Sequence, residues 1–510
     1  MSRSLAEDRA DPYERQSVRR TLTRFGWLRT EVLAGLVVAL ALIPEAIAFS
    51  IIAGVDPRVG LFASFTMAVT TAVLGGRPAM ISAATGAVAL VIAPLSASHG
   101  VDHLIAAVIL AGVFQVVLAV VGAARLMRFI PRQVMVGFVN ALAILVFLAQ
   151  LPELIGVPWL VYVVCAAGLL IVFVLPRFTT AVPAPLVAIL VLTPLVVLLG
   201  WDIPTVGDRG ELPESVPFLF VPDVPLTWET FTTIAPFSLA MAVVGLLESL
   251  LTAKLVDDIT DTRSNKTRES WAQGAANITS GFLGGMGGCA VVGQTMMNVR
   301  ASGARTRIST FCAGVLLLVL VVLLGDVVAV VPMAVLVAIM VFVSWATFDW
   351  HSIRPSTLTR MPLSETIVML VTVVATVWTH NLAIGVGLGV LVAMVAFARR
   401  VAHFVTVTRE VIEEAGDGEA APAGPCARYT VVGELFFASS NDLFTQFRYA
   451  EDPARVIIDM HRSHVWDAST VAALDSVTEK YAARGTVVEV RGLNEASRRM
   501  RERLSGTLGG

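Results

Sequence analysis

A helix that crosses the hydrocarbon core of a bilayer needs about 20 mostly apolar residues, and this chain contains twelve such runs in succession. They lie near residues 31–50, 57–75, 103–124, 133–150, 157–175, 183–200, 233–253, 268–284, 308–325, 328–345, 364–379 and 382–398. Two further apolar stretches, near 78–96 and 286–300, are interrupted by glycine and small residues, which makes about fourteen membrane segments. Runs of this length predict an all-α polytopic membrane protein. Composition agrees: 56% of the residues are hydrophobic and 15% are charged, where a soluble domain carries about a quarter charged residues. The mean hydropathy is +0.77. Because the charges cluster between segments, the net charge of −2 identifies no partner, and nothing in the chain points to nucleic acid.

Lysine and arginine set the orientation of such a chain. Residues 1–29 are arginine-rich with no early apolar core, and read as a basic cytoplasmic tail rather than a secretory signal. With that tail inside, alternate loops carry Arg125, Arg128 and Arg132; Lys254, Arg263, Lys266 and Arg268; Arg300, Arg305 and Arg307; and Arg399 and Arg400. The longest opposite loop, 201–232, carries Asp202, Asp208, Glu211, Glu214, Asp223 and Glu229 against Arg209. A shift by one helix would invert this pattern, so both termini are expected in the cytoplasm. Cys165, Cys289, Cys312 and Cys426 are scattered and read as core packing, and His461 and His464 lack the companions a metal site needs.

The two glycine-broken stretches fall at similar depths in two similar halves, 30–200 and 233–400. That placement predicts an inverted repeat with a substrate site at the repeat interface. If each stretch starts extended and becomes helical midway, two helix N-termini converge, with Thr85, Gly86 and Ala87 at one and Val292, Gly293 and Gln294 at the other. Free N–H groups and positive dipole ends would make the pair an anion site. The alternative is two ordinary glycine-kinked spanning helices. Two acids lie inside spanning helices: Glu45, which follows Pro44, and Glu248. Such acids are costly in lipid and suggest function. Thr252, four residues after Glu248, shares its helix face, a spacing that suits Na⁺ ligation or a proton relay. A buried, hydrogen-bonded structural glutamate is the alternative for either acid.

Three stretches resemble the SulP anion transporters, relatives of the solute-carrier 26 exchangers. They are AGLVVALALIPEAIAFSIIAGVDPRVGLFAS (34–64), GRPAMISAATGAVALV (76–91), and the run from ESLLTAKLVDDITDTRSNKTRESW through GGMGGCAVVGQTMMNVRASGARTR (248–307). The resemblance implies a seven-plus-seven inverted repeat with core and gate subdomains, a homodimer, and elevator-like movement of an anion held between the third and tenth segments. It also implies a coupling role for Glu248: bicarbonate importers of the family bind Na⁺ with an acid and a threonine matching Glu248 and Thr252, completed by backbone around Ala290, Val291 and Val292. The acid here is Glu rather than Asp. Where many relatives have arginine or another polar pattern, this chain has Gly293-Gln294-Thr295, without a fixed positive charge. An ionised Glu248 would then repel the anion, and a co-transported Na⁺ or H⁺ would relieve this, which favours symport over exchange. Glu45 stands where many relatives have glutamine and is a second candidate proton carrier.

Beyond residue 400 the composition changes. Residues 401–425 read as a linker, and 426–510 as alternating strands and helices resembling a STAS domain, with a helix over 441–449. Within it, Asp467-Ala468-Ser469-Thr470 lies where a strand feeds a helix. In soluble anti-sigma antagonists the serine matching Ser469 is phosphorylated; an ordinary N-cap is the alternative. No catalytic triad or metal cluster is legible, so the chain is not read as an enzyme and needs no resident cofactor. The expected function is secondary active transport of a small inorganic oxyanion, sulfate or bicarbonate, in the plasma membrane. The alternatives are an anion exchanger, a dicarboxylate carrier, an anion channel, or a membrane sensor that signals to a cytoplasmic protein through the STAS domain.

Overall fold

The computed structural model describes residues 13, 16–122, 125, 130–178, 184–402, 405–414, 424–437 and 443–506. It divides into two compact units, Met1–Val390 and Leu391–Gly510.

The first unit is helical. In chain order its main helices are α1 (Phe25–Ala53), α2 (Pro57–Leu74), α3 (Gly86–Val121), α4 (Arg132–Leu148), α5 (Trp159–Val174), α6 (Ala184–Leu198), α7 (Trp228–Thr260), α8 (Lys266–Phe282), α9 (Val292–Met296), α10 (Arg307–Leu323), α11 (Met333–Thr347) and α12 (Leu363–Thr379). Helix α13 (Leu382–Ala402) runs from this unit into the second. Helix α3 is two helices merged across a kink at Gly100, whose φ of 82° is left-handed. Among the described residues, seven helices are long and apolar enough to cross a membrane, and four shorter ones are also apolar.

The two broken stretches do begin extended. Residues Ser82–Ala83 (β1) and Cys289–Ala290 (β2) are two-residue strands that pair antiparallel, Ser82 opposite Ala290 and Ala83 opposite Cys289. All four residues are fully buried, so their backbone groups need partners within the protein. Val291 N donates to Ile81 O at 2.8 Å, and Ile81 N donates to Thr295 Oγ1 at 3.0 Å. Helix α3 starts two residues after β1, and α9 one residue after β2, the latter continuing as a π-turn over Met297–Ala301. Tight backbone approach explains the nearby glycines. A Cβ built on Gly112 would lie 2.6 Å from Gly274 O, and one on Gly274 would lie 2.6 Å from Gly112 O, the small-residue contact by which membrane helices pack closely.

A buried polar buckle joins the approach to β1 to the far half of the chain. Arg77, 4% exposed, donates from Nη1 to Asp257 Oδ1 at 3.0 Å and to Thr262 Oγ1 at 2.9 Å. Lys266 Nζ reaches the other oxygen of Asp257 at 2.8 Å. Glu269, fully buried in the first turn of α8, accepts from the main-chain N–H of Gly76 and Arg77 at 2.7 and 2.9 Å. Arg77 and Lys266 are thus paired with Asp257 and Glu269 is hydrogen-bonded, as burial favours, while Arg77 Nε is left without a partner.

The second unit contains a four-stranded sheet in the order β3–β4–β5–β6, made of β3 (Thr406–Glu414), β4 (Gly424–Leu435), β5 (Arg455–Val465) and β6 (Val487–Arg491). The first pair is antiparallel and the other two are parallel. Helix α14 (Ala468–Ala482) crosses between β5 and β6, and α15 (Glu495–Leu504) follows. Two expectations are corrected. The stretch 401–425 is not all linker, because Thr406–Glu414 alternates Val407, Arg409 and Val411 with its other face and pairs along its length with β4. The helix expected over 441–449 is, among the described residues, a single turn at Phe444–Gln446; Phe447 is extended and packs its ring on Tyr429, while 441 and 442 lie outside the described residues.

Candidate functional site

The second broken stretch meets both acids: Glu45 of α1 through Gln294, and Glu248 of α7 through Cys289, which passes the contact on to Thr85 of the first stretch. Pro44 in α1 has no N–H for the helical ladder, and the next residue, Glu45, is buried at 9% exposure. Its Oε1 accepts a 2.7 Å hydrogen bond from Gln294 Nε2 in α9. Glu248, also 9% exposed, sits in α7. Its Oε2 accepts from the Cys289 thiol at 2.9 Å, and Cys289 Sγ lies 3.1 Å from Thr85 Oγ1. Thr85 is the N-cap of α3. The acid of α7, strand β2 and the start of α3 thus form one continuous polar chain.

Other predicted residues fall around this chain in two groups. Thr85, Gly86, Ala87 and Gln294 are buried, whereas Val292 and Gly293 are exposed inside the break. A Cβ on Gly86 would lie 2.9 Å from the Phe49 ring and 3.1 Å from Val146, so α1 and α4 crowd the start of α3 there. A Cβ on Gly293 would meet nothing within 4 Å. Ala290 N donates to Ser249 Oγ at 3.1 Å, holding β2 against α7. Thr252 lies on α7 one turn after Glu248, but its hydroxyl donates to the Glu248 main-chain carbonyl at 2.8 Å. The Glu248 carboxylate and the Thr252 hydroxyl are not joined.

Cys289 is the residue that sequence reasoning passed over. A lone thiol in an apolar stretch reads as a small hydrophobe. Its position directly after Gly287-Gly288 and before the helix start is the signal that could have marked it.

In the second unit, Asp467 caps α14: its Oδ1 accepts from Thr470 N at 3.1 Å, and its Oδ2 from Phe437 N at 2.6 Å. Ser469 is exposed in the first turn of that helix. His461 and His464 are engaged separately, with Asp459 at 2.7 Å and Asn494 at 3.0 Å. Opposite lies a buried knot. The Asp452 side chain, fully buried, accepts from Arg409 Nε at 2.7 Å, Tyr429 OH at 2.6 Å and Tyr481 OH at 2.5 Å. Burial and this carboxylate together push both phenols above the usual tyrosine range.

A succession of apolar helices with two breaks meeting at a shared strand crossing defines a multi-pass membrane protein with a polar centre enclosed by helices. The sulfate permease family model matches residues 28–372 and the STAS domain model residues 422–505; the chain belongs to the sulfate permease family and ends in a STAS domain. It is 51% identical over 481 residues to YbaR of Bacillus subtilis (strain 168), described provisionally as a sulfate transporter, covering 94% of this chain and 98% of that one. It is 27% identical to the bicarbonate transporter BicA of Picosynechococcus, over 76% of this chain and 74% of BicA. The murine solute carrier 26 family member A9 anion transporter, solved in the inward-facing state, has the same fold: the TM-score is 0.78 at 15% identity, over 93% of this chain and 87% of that one.

Proposed function

We propose that the chain is a secondary active transporter of a small inorganic oxyanion, sulfate or bicarbonate, coupled to Na⁺ or H⁺. The observation that carries this reading is the Thr85–Cys289–Glu248 chain. It links an ionisable group on α7 to the capped start of α3, so charge at Glu248 and an anion near that helix start act on each other. The relatives' names support the substrate class. Pairing of β1 with β2 supports an elevator-like mechanism, since it holds the starts of both broken helices together. The protein works as a homodimer in the plasma membrane with both termini cytoplasmic, and its STAS domain offers Ser469 for phosphorylation or partner docking.

One observation favours the proton as the coupling ion. The Glu248 carboxylate meets the Cys289 S–H donor, and the Thr252 hydroxyl is turned to its own helix, so the two do not converge as cation ligands. The test is uptake of radiolabelled sulfate and bicarbonate into proteoliposomes, each with and without an inward Na⁺ gradient at fixed pH. Uptake of one anion that follows a pH gradient and ignores Na⁺ supports the proton; a strict Na⁺ requirement assigns Glu248 and Thr252 to Na⁺; no uptake of either anion refutes the proposal. Glu248→Gln is expected to abolish concentrative uptake while leaving exchange of internal for external anion.

Cys289 gives a second test. Cys289→Ala removes the donor that favours the ionised carboxylate, an interaction worth about 1.5–3 kcal/mol, so a proton binds Glu248 more readily and the half-saturation for the proton is expected to fall about tenfold or more. Cys289→Ser restores a donor and is expected to stay within about threefold of wild type. Equal behaviour of the two variants would mean that the thiol only fills space.

A further inference from the structure

Glu45 and Gln294 leave one atom unexplained. Gln294 Nε2 donates to Glu45 Oε1 at 2.7 Å, but the other end of the same amide, Gln294 Oε1, is buried without a hydrogen-bond partner. Gln294 is 3% exposed and Glu45 9%. Buried acceptors are nearly always satisfied, so an orphan at this position calls for a reason.

The chemistry of the pair supplies one. An ionised carboxylate only accepts hydrogen bonds, so it forces the amide to turn its N–H₂ toward Glu45 and its carbonyl away. A protonated Glu45 makes the opposite demand. Its O–H donates to Gln294 Oε1, the amide rotates half a turn, and the N–H₂ moves to where the orphaned oxygen now sits. That place then holds a donor and needs an acceptor. Gln294 lies in the first turn of α9, next to Val292, which is 37% exposed, and Gly293, which borders open space. Resting on the anion-transport reading above, we infer that Glu45 and Gln294 form a proton-gated amide switch, in which a proton on Glu45 turns the Gln294 N–H₂ toward the transported anion.

The coupling runs both ways by linkage. An anion that accepts from the N–H₂ favours the turned amide and so favours a proton on Glu45, drawn from the aqueous side on which the anion enters and released with it. Other charges do not compete for the acid. On helices packed against α1, the titratable groups lie toward the ends or at the Gly100 kink: Arg19 and Arg20 of the short helix Val18–Thr23, Arg58 of α2, His99, Asp102 and His103 of α3, Arg300 after α9, and Arg307 of α10; on α1 itself, Arg29 and Glu31 lie about four turns before Glu45. Cys312 of α10 packs on Gly35, well along α1, and neither α6 nor α11 carries a titratable residue. Glu45 faces Gln294.

The test uses whichever of radiolabelled sulfate and bicarbonate the wild type accumulates in proteoliposomes, with bicarbonate corrected for speciation. If neither accumulates, the transport reading fails and takes the switch with it. If one does, its half-saturation is expected to rise about tenfold per pH unit above the titration of Glu45, as linkage to one proton requires. Glu45→Gln donates permanently to Gln294 Oε1, and its half-saturation is expected to lose the tenfold-per-unit dependence that Glu45 contributes, any slope that remains belonging to Glu248. Gln294→Met keeps the length but not the amide. Its pH dependence is expected to shrink to about threefold over the same range, the part due to charge alone. Full wild-type pH dependence in Gln294→Met overturns the switch. Infrared difference spectra of the unmodified protein, taken on adding the anion at fixed pH, guard against a misfolded variant. A carboxylic-acid carbonyl band with a simultaneous shift of a side-chain amide band supports the switch; the acid band alone, or neither band, overturns it.

Discussion

Gly288→Ala is expected to reduce anion uptake by about a hundredfold or more and to lower the melting temperature of the first unit. A Cβ at residue 288 would overlap the Ala83 carbonyl oxygen and lie 2.6 Å from the carbonyl carbon. Both are backbone atoms of β1, which cannot yield as a flexible side chain would. Moving β1 away breaks its pairing with β2 and the bonds of Ile81 to Val291 and Thr295. Each bond leaves buried partners unsatisfied, and an overlap with main chain belongs among the few mechanisms that cost about 4 kcal/mol or more. Gly293→Ala is the matched control. With open space around its Cβ, it is expected to keep the melting temperature and to alter only the half-saturation for the anion. Uptake assays and thermal unfolding in detergent separate the two variants, and normal uptake by Gly288→Ala would mean that the crossing is not a rigid centre.

The second large effect is expected in the STAS domain. Asp452→Ala should destabilise it by about 3–5 kcal/mol, because one substitution strips the partner from a guanidinium and two phenols. Arg409 comes from β3, Tyr429 from β4 and Tyr481 from α14, so the knot ties three elements to one carboxylate. Amide exchange in the full-length protein is the measurement. Loss of protection is expected along β4, β5 and α14 together, by about a hundredfold or more, as befits a cooperative unit. Asp452→Asn, which keeps one acceptor, is expected to lose less. Protection lost only around residue 452 would show that the knot is local.

The segment pattern was legible because each spanning helix must announce itself: lipid demands an apolar run, and nothing farther along the chain can substitute for it. The broken stretches were legible for the converse reason, since Gly284 through Gly288 and Gly75-Gly76 disrupt runs that would otherwise be continuous. The acids Glu45 and Glu248 stood out against their apolar surroundings. Their partners did not. Cys289 is separated from Thr85 by 204 residues and Gln294 from Glu45 by 249, and no local periodicity reports a contact at that range. Asp452 follows Glu451 in a turn, with nothing in the sequence to mark it as buried, although its side chain is fully enclosed. Strand β3 was hidden because its own sequence is short, charged and adjacent to a linker; pairing with β4 defines it.

The buckle and the strand crossing also constrain how the protein is made. Arg77 waits for Asp257 across 180 residues, and β1 waits for β2 until most of the helical unit has been synthesised. Until then the first half carries a guanidinium without its carboxylate and a strand edge without its partner, and whatever part of that edge met lipid could not be hydrogen-bonded there. Biogenesis must therefore shelter these groups, in the insertion machinery or in bound water, through the translation of the second half. A ribosome stalled between residues 200 and 257 would leave a half-protein that cannot complete itself, and quality control could recognise it by that open edge.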